Sequence, residues 1–337
     1  MAASPNVIIS HIAQWETHYV EPVVFGTTDP HQIAELINNF CHQELGAFIA
    51  DYLFYESSIG AVCGVRLQDG RRVVVKIHRP SRSLDFLKAI VQVQYYLIEH
   101  EYPCTRPVID PRPLAYGIAI VEEFDDEGEY HQASDPAIRR SMAEMLARLI
   151  KLTSKLAYMP ALQPEAPDSR LQPGSIWPKP HSELFDFEAT AAGAAWIDEI
   201  ARPAQAVKLH GAGQLVLGHT DWGVKHFRYI GNKVHVIYDW DSLAYGKEPI
   251  IVGSAAMYFT YTEFFGKYRL PTAEESHAFI AEYEVARGKP FTPEEKQTME
   301  AAKIYGIAYG ARCEHSLHPD ETNFPEGSCR ATLKQYM

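Results

Sequence analysis

Residues Gly218–His226 read GHTDWGVKH, and residues Tyr238–Asp241 read YDWD. Two short strand-like segments lie between them and are joined by Gly231-Asn232, which predicts a β-hairpin with a tight turn. An antiparallel hairpin returns the chain to its starting point, so the carboxylates of Asp221 and Asp239 are expected to converge. Two close carboxylates repel each other unless a proton or a cation lies between them. The pair therefore indicates a metal site with a catalytic base beside it.

This arrangement resembles the phosphotransfer site of the aminoglycoside phosphotransferase and choline kinase family, which has the kinase-like fold. The shared pattern is His-x-Asp-x-x-x-x-Asn, followed by a hairpin and a second Asp. The resemblance implies that Asp221 is the catalytic base, that Asp239 is a metal ligand and that His219 supports the loop. It also implies transfer of the γ-phosphoryl group of ATP or GTP, with Mg²⁺ as the metal.

His226 stands where the family has Asn. Magnesium prefers oxygen ligands, whereas imidazole suits softer transition metals. If His226 is a metal ligand, we expect weak binding of a second Mg²⁺ and tolerance of, or preference for, Mn²⁺. The alternative is that His226 donates a hydrogen bond to a phosphate oxygen.

A nucleotide-binding region is predicted in the first third of the chain. Lys76 projects from the apolar strand Arg72–His78, which follows an Asp69-Gly70 hairpin turn. By the resemblance, Lys76 contacts the α- and β-phosphates of the nucleotide. Ser57, Ser58 and Gly60 are candidates for the loop that covers the phosphates, although a plain strand-to-strand turn has the same sequence features.

Two further parts of this region are expected from the resemblance. Backbone groups near Glu122, Glu123 and Phe124 would bind adenine, because this segment corresponds to the strand that leads to the hinge between the lobes. A helix glutamate would pair with Lys76, but the neighbourhood where the family has it contains Gln92 and Gln94. Either glutamine can orient the lysine by a neutral hydrogen bond, and Glu99 is an alternative partner.

The sequence predicts an α+β protein with the bilobal protein-kinase-like fold. Residues 1–125 are expected to form a nucleotide-binding N-lobe, with a helical extension over about the first 50 residues, a small antiparallel sheet and one main helix. Residues 126–337 are expected to form a larger, mostly helical C-lobe with the catalytic loop and the substrate cleft. Within it the sequence predicts a proline-rich loop from Pro160 to Pro180, a helical stretch from about Glu183 to Ala201, and capping boxes at Thr272 and Thr292.

The composition narrows the class of partner and the location. The 337 residues carry a formal charge of -12, which disfavours a broad surface for nucleic acid or anionic membrane and suits a cationic small molecule. The five cysteines form no CxxC pair, and no signal peptide or membrane-spanning stretch is evident. We therefore expect a reduced, cytoplasmic protein.

The acceptor is expected to be a hydroxyl of an aminoglycoside-like or other hydroxylated small molecule. Only ten residues separate Asp239 from Pro249, which leaves little room for the activation segment of a protein kinase. Asp241 and Glu314 are candidate substrate contacts, and Arg312 is another residue that can face the substrate. The main alternative is a catalytically impaired, kinase-like nucleotide-binding sensor or partner module. A third interpretation is an unrelated α/β protein in which the aspartates lie in surface turns.

Overall fold

The computed structural model describes residues 3–163, 174–262 and 269–337. The chain divides into two compact units. The N-terminal unit comprises Met1–Glu99 and Cys104–Asp126, and the C-terminal unit comprises His100–Pro103 and Glu127–Met337. No described helix is long and apolar enough to span a membrane.

The N-terminal unit is built on a five-stranded antiparallel sheet with the strand order β1-β2-β3-β5-β4. Its strands are β1 (Ile49–Ser57), β2 (Ala61–Leu67), β3 (Arg72–His78), β4 (Pro107–Leu114) and β5 (Gly117–Glu123). Its described helices are α1 (Asn6–Ile12), α2 (Glu21–Val24), α3 (Pro30–Leu45) and α4 (Leu84–Glu99).

Strand β4 has no counterpart in the sequence predictions, and it contains three prolines, Pro107, Pro111 and Pro113. Proline cannot donate a ladder hydrogen bond and is tolerated where a strand has a neighbour on one side only. The strand order places β4 at the edge of the sheet, which is where such a strand can be accommodated.

Helices α1, α2 and α3 precede the sheet, and α3 contributes to the core of this unit. Helix α3 begins at Pro30 after Asp29, whose side chain caps the helix, and it ends at Gly46 with φ 76°. Ile33 and Ile37 on its inner face are fully buried in a cluster with residues of the sheet. The sheet therefore owes part of its apolar cover to residues that precede it in the sequence.

The described residues of the C-terminal unit are mostly helical and include four short strands in two pairs. Its described helices are α5 (Pro136–Thr153), α6 (Ala195–His210), α7 (Glu248–Tyr258), α8 (Ala273–Arg287), α9 (Pro293–Leu317) and α10 (Cys329–Leu333). Its strands are β6 (Leu215–His219), β7 (Phe227–Ile230), β8 (Lys233–Ile237) and β9 (Leu243–Lys247). Strand β6 pairs with β9, and β7 pairs with β8 in the predicted hairpin. Helix α9 packs against α6 and α7, and α5 packs against α8.

The capping boxes and the helix predicted in the C-terminal unit have different outcomes. The capping boxes at Thr272 and Thr292 are both confirmed. The helix predicted from Glu183 is wrong in its first half, because α6 begins only at Ala195. The side chain of Asp186 accepts the N–H groups of Glu188 and Ala189, and Gly193 has φ 78°, so local turns replace the helix there. Residues 164–173 of the predicted proline-rich loop lie outside the described residues.

Candidate active site

The two aspartates of the quoted motif follow the ends of β6 and β8, and backbone hydrogen bonds join their segments. The N–H of Thr220 donates to the carbonyl of Ser242 over 2.9 Å, and the hydroxyl of Thr220 donates to the same oxygen over 2.8 Å. The N–H of Tyr238 donates to the carbonyl of His226 over 2.9 Å. The hairpin therefore returns the chain as the sequence predicts, and Asp221 and Asp239 come together.

Each aspartate is followed by a buried tryptophan that anchors its segment. The indole N–H of Trp222 donates to the carbonyl of Met142 on α5, and that of Trp240 donates to the carbonyl of Ile237. The ring of His219 meets both indoles edge-on, with centroid distances of 5.4 and 5.9 Å. The repeated Asp-Trp pair was the sequence signal for these anchors, and the sequence analysis did not use it.

His219 is almost fully buried, and burial, reinforced by the charge of His226, lowers its pKa to about 4 despite the opposing charges of Asp239 and Asp221. A neutral imidazole can both donate and accept, and Nδ1 of His219 accepts the backbone N–H of Asp221 over 3.2 Å. These contacts are those of a residue that supports the loop.

The Asp221 carboxylate is held through one oxygen. His226 Nε2 lies 3.0 Å from Asp221 Oδ2, and Lys225 Nζ lies 3.2 Å from the same atom. Burial would raise the pKa of Asp221, but the hydrogen bond and charge of His226, together with the charge of Lys225, lower it to about 2 against the opposing charge of Asp239. Asp221 is therefore a carboxylate at neutral pH.

Asp239, Asp221 and His226 form a group that we call the carboxylate cluster. Asp239 has φ 67°, in the left-handed region, and its Oδ2 accepts the hydroxyl of Ser242 over 2.8 Å. His226 Nε2 lies 3.8 Å from Asp239 Oδ2, and one ligand atom from each residue lies within 4.8 Å of the others. This spacing and donor set fit one divalent cation.

Lys225 is a charged residue of the site that the sequence analysis missed. Its ammonium lies 5.7 Å from the ring centroid of Tyr258 and 5.0 Å from that of Tyr261, and these two rings stack at 4.6 Å. The rings restrain the lysine stem next to Asp221. Its position four residues after Asp221 was the available signal, because i,i+4 partners can meet in a helical turn.

Lys76 has a partner that the sequence did not predict. Its ammonium lies 3.3 Å from Glu122 Oε2, and the amide nitrogen of Gln94 on α4 donates to Glu122 Oε1 over 2.6 Å. We call these three residues the lysine cluster. Gln92 and Glu99, the other candidates, are exposed on α4.

The other nucleotide-site candidates are placed as follows. Ser57 ends β1, and Ser58 and Gly60 belong to the turn before β2, with the N–H of Ser58 donating to the carbonyl of Gly60. A Cβ on Gly60 would lie 2.5 Å from the carbonyl oxygen of Ile77, so the close approach of β3 requires glycine there.

The expected adenine segment uses its N–H groups internally. The N–H of Glu123 donates to the carbonyl of Arg106, and that of Phe124 donates to the carbonyl of Arg72. Both bonds lie within the N-terminal unit. The backbone N–H groups of Glu123 and Phe124 therefore already donate hydrogen bonds within the protein. The predicted adenine contact would have to be made by backbone carbonyl groups.

The candidate substrate residues fall into two environments. Asp241 is half-buried in the turn that follows Asp239. The Glu314 carboxylate accepts the N–H groups of Cys329 and Arg330 at the start of α10. Arg312 is buried and donates to the carbonyl of Phe187 and the hydroxyl of Thr190. Glu314 and Arg312 thus hold neighbouring segments of the C-terminal unit in place.

A family model described as "APH: Phosphotransferase enzyme family" matches residues 64–288, which is more than half of the chain. In a comparison with curated proteins, no sequence matches the chain.

Solved structures of several kinases have the same fold. The chain is similar to amicoumacin kinase hAmiN in complex with AMP-PNP, Ca²⁺ and Ami, with 14% identity and a TM-score of 0.59 over 85% of this chain and 86% of that one. It is similar to choline kinase LicA from Streptococcus pneumoniae, with 13% identity and a TM-score of 0.59 over 90% and 96%. It is also similar to ADP-bound aminoglycoside phosphotransferase APH(2'')-Ib, with 13% identity and a TM-score of 0.53 over 90% and 94%. The predicted kinase-like fold is confirmed.

Proposed function

We propose that this chain, which belongs to the phosphotransferase enzyme family, is a kinase that transfers the γ-phosphoryl group of ATP or GTP to a hydroxyl of a small molecule. One observation carries the proposal. In the described part of the chain, the hydrogen bond and the ion pairs of the Asp221 carboxylate with His226 and Lys225 are all made to Oδ2. Oδ1 of a fixed carboxylate is then the acceptor for the hydroxyl of the substrate.

The low pKa of Asp221 supports an orienting role for its carboxylate. A carboxylate with a pKa of about 2 is a weak base, so it would accept the hydroxyl proton only when the new bond to phosphorus is well advanced. Phosphoryl transfer has a loose transition state that requires positioning and charge stabilisation more than early proton removal. His226 and Lys225 would fix the carboxylate, and the ammonium of Lys225 would also stabilise negative charge on the transferred group.

Asp239 would hold a divalent cation, Mg²⁺ or Mn²⁺, which when bound supplies charge neutralisation for the phosphates, and His226 would be a second ligand only in a state in which its Nε2 no longer donates to Asp221. Ser242 would keep Asp239 in the orientation required for this role. In the N-terminal unit, Lys76 would contact the α- and β-phosphates. In the same proposal, residues 1–125 bind the nucleotide, and residues 126–337 carry the catalytic loop and the substrate cleft.

For the acceptor we propose an aminoglycoside-like or other hydroxylated small molecule, cationic or neutral. Kinases of the same fold carry the names of amicoumacin and choline, which supports a small molecule as the acceptor class. The formal charge of -12 is compatible with a cationic acceptor.

The test is release of ADP or GDP across a panel of hydroxylated compounds, with Mg²⁺ and Mn²⁺ in parallel. Phosphorylated product should be detected by mass spectrometry for at least one acceptor, and Asp221→Asn serves as the blank. Nucleotide binding by calorimetry should accompany the panel. Product formation equal in the blank and in the wild type would refute the assigned role of Asp221.

The nucleotide-binding sensor remains the second candidate, and one observation favours it. His226 occupies the position where the family has Asn, and its hydrogen bond to Asp221 occupies an atom that a metal ligand would need. Tight nucleotide binding without turnover for any acceptor would support the sensor. The absence of a helix glutamate beside Lys76 would also favour the sensor, but Glu122 provides a carboxylate at 3.3 Å from the ammonium.

A further inference from the structure

The lysine cluster is a buried polar network inside the N-terminal unit. The side chains of Lys76 and Glu122 are 12% and 4% exposed, and Gln94 is fully buried. The Gln94 amide nitrogen donates to Glu122 Oε1 over 2.6 Å and also lies 3.1 Å from the hydroxyl oxygen of Thr105. A buried carboxylate is costly unless it is paired and hydrogen-bonded. Glu122 meets both conditions, with Lys76 at one oxygen and Gln94 at the other.

We propose that Glu122, on strand β5, is the residue that positions Lys76 toward the nucleotide, in place of a carboxylate from helix α4. This inference rests on the proposed kinase function. It assigns to the Glu122 side chain a role that sequence resemblance gave only to its backbone. Gln94 is the supporting residue, which holds the carboxylate from the helix side.

Sheet pairing explains why a strand residue can take this role. In the register between β3 and β5, Lys76 lies opposite Ile120, and Glu122 lies opposite Val74. Side chains two positions apart share one face of a strand, so Lys76 and Glu122 are diagonal neighbours on the same face. The distance between them is therefore set by a ladder of backbone hydrogen bonds. A carboxylate supplied by a helix would depend on the position of that helix as well.

The ion pair is compatible with phosphate binding. An ammonium group has three donors, and Glu122 accepts one of them. A charge-assisted contact to a residue fixed by the sheet restricts the lysine side chain to few rotamers. Loss of Glu122 would remove the carboxylate that holds the Lys76 ammonium on the β5 side and widen the range of rotamers that Lys76 samples, so the effect should be one of misplacement.

The first test is Glu122→Gln, which keeps the shape of the side chain and removes its charge. We expect kcat/KM for the nucleotide to fall roughly 10²-fold, the size of effect that misplacement of a phosphate-contacting group by about 1 Å produces. The matched control is Glu44→Gln, the same change at an exposed ion pair with Arg112 in the same unit, and its kinetics should equal those of the wild type. Thermal unfolding of each variant reports whether the fold is retained.

The second test is the exchange Gln94→Glu with Glu122→Gln, which moves the carboxylate to the helix side of the same contact. We expect kcat/KM for the nucleotide to be at least tenfold higher in the exchange variant than in Glu122→Gln, which is roughly half of the loss on a logarithmic scale. The exchange variant should be active even if the single variant unfolds. A merely structural role for Glu122 would restore thermal stability without restoring kcat/KM.

Three results would overturn the proposal. Wild-type kinetics in a folded Glu122→Gln protein would refute the positioning role alone. A folded exchange variant no more active than Glu122→Gln would do the same. A wild-type protein that neither binds nor turns over nucleotide would refute the proposed function and this inference together, and calorimetry on the wild type separates that case from the first two.

Discussion

The lysine cluster and the carboxylate cluster differ in their balance of positive and negative charge. In the lysine cluster one ammonium meets one carboxylate, both largely buried, and the charges balance within the protein. In the carboxylate cluster two aspartates, each about one-third exposed, converge beside one lysine and a histidine. In the first cluster the two charges cancel without a ligand. The second retains negative charge that a cation can balance.

This difference predicts different consequences for substitution. Changes in the carboxylate cluster should act on the chemical step or on the metal and leave nucleotide affinity intact. Changes in the lysine cluster should act on nucleotide binding and orientation. Kinetics that separate kcat from nucleotide affinity therefore test whether the two clusters act independently.

The largest effect is expected for Asp221→Asn. The amide is isosteric but neutral, so it neither orients the hydroxyl through a charged oxygen nor accepts its proton late in the reaction, and kcat should fall roughly 10³-fold. The dissociation constant of the nucleotide, measured by calorimetry, should stay within about threefold of the wild type. Nucleotide affinity reduced as strongly as in Glu122→Gln would show that the two clusters do not act separately.

Lys225→Met should have the next largest effect. The methionine keeps an unbranched stem beside the stacked rings of Tyr258 and Tyr261 but removes the charge next to Asp221. We expect kcat to fall roughly 10²-fold with little change in the KM of the nucleotide, because the charge acts mainly in the transition state. Lys225→Arg should recover part of this loss. Equal kcat values for the arginine and methionine variants would sink the electrostatic role.

The same comparison explains how much the sequence could predict. Asp221 and Asp239 are eighteen positions apart and are joined by one hairpin, so local turn chemistry was enough to bring them together. The capping boxes of α8 and α9 are local for the same reason. The motif, the hairpin and the resemblance were therefore sufficient to predict the kinase-like fold and the carboxylate site.

The lysine cluster was out of reach because its members come from two strands and a helix. Strand β5 pairs with β3 as well as with β4. Strand β4 contains three prolines and was not predicted. Without that pairing, nothing in the sequence separates Glu122 from its neighbour Glu123. In the structure Glu122 is buried, whereas Glu123 is exposed and lies near Arg106. Burial, which one sequence does not show, decides between the two glutamates.

A smaller effect is expected for Ser242→Ala, which removes the hydrogen bond to Asp239 Oδ2. Outer hydrogen bonds of this kind tune the affinity of a metal ligand, so the metal concentration at half-maximal activity should rise about tenfold. Activity at saturating metal should be near that of the wild type. Ser154→Ala, at an exposed serine on the end of α5, is the matched control. A loss of kcat that added metal does not restore would assign Ser242 to another role.

The smallest expected effect, and the one most specific to this chain, concerns His226→Asn. His226 Nε2 lies between the two carboxylates, 3.0 Å from Asp221 Oδ2 and 3.8 Å from Asp239 Oδ2, so it can serve either as a metal ligand or as a donor to Asp221. An amide can donate to Asp221 through its nitrogen and bind a hard cation through its oxygen. The substitution should therefore raise activity with Mg²⁺ relative to Mn²⁺, measured as the ratio of the two kcat/KM values. His31→Asn, at an exposed position on α3, should leave the ratio unchanged. An unchanged ratio in His226→Asn would limit the histidine to orienting Asp221, and the carboxylate cluster would then bind its cation through oxygen ligands alone.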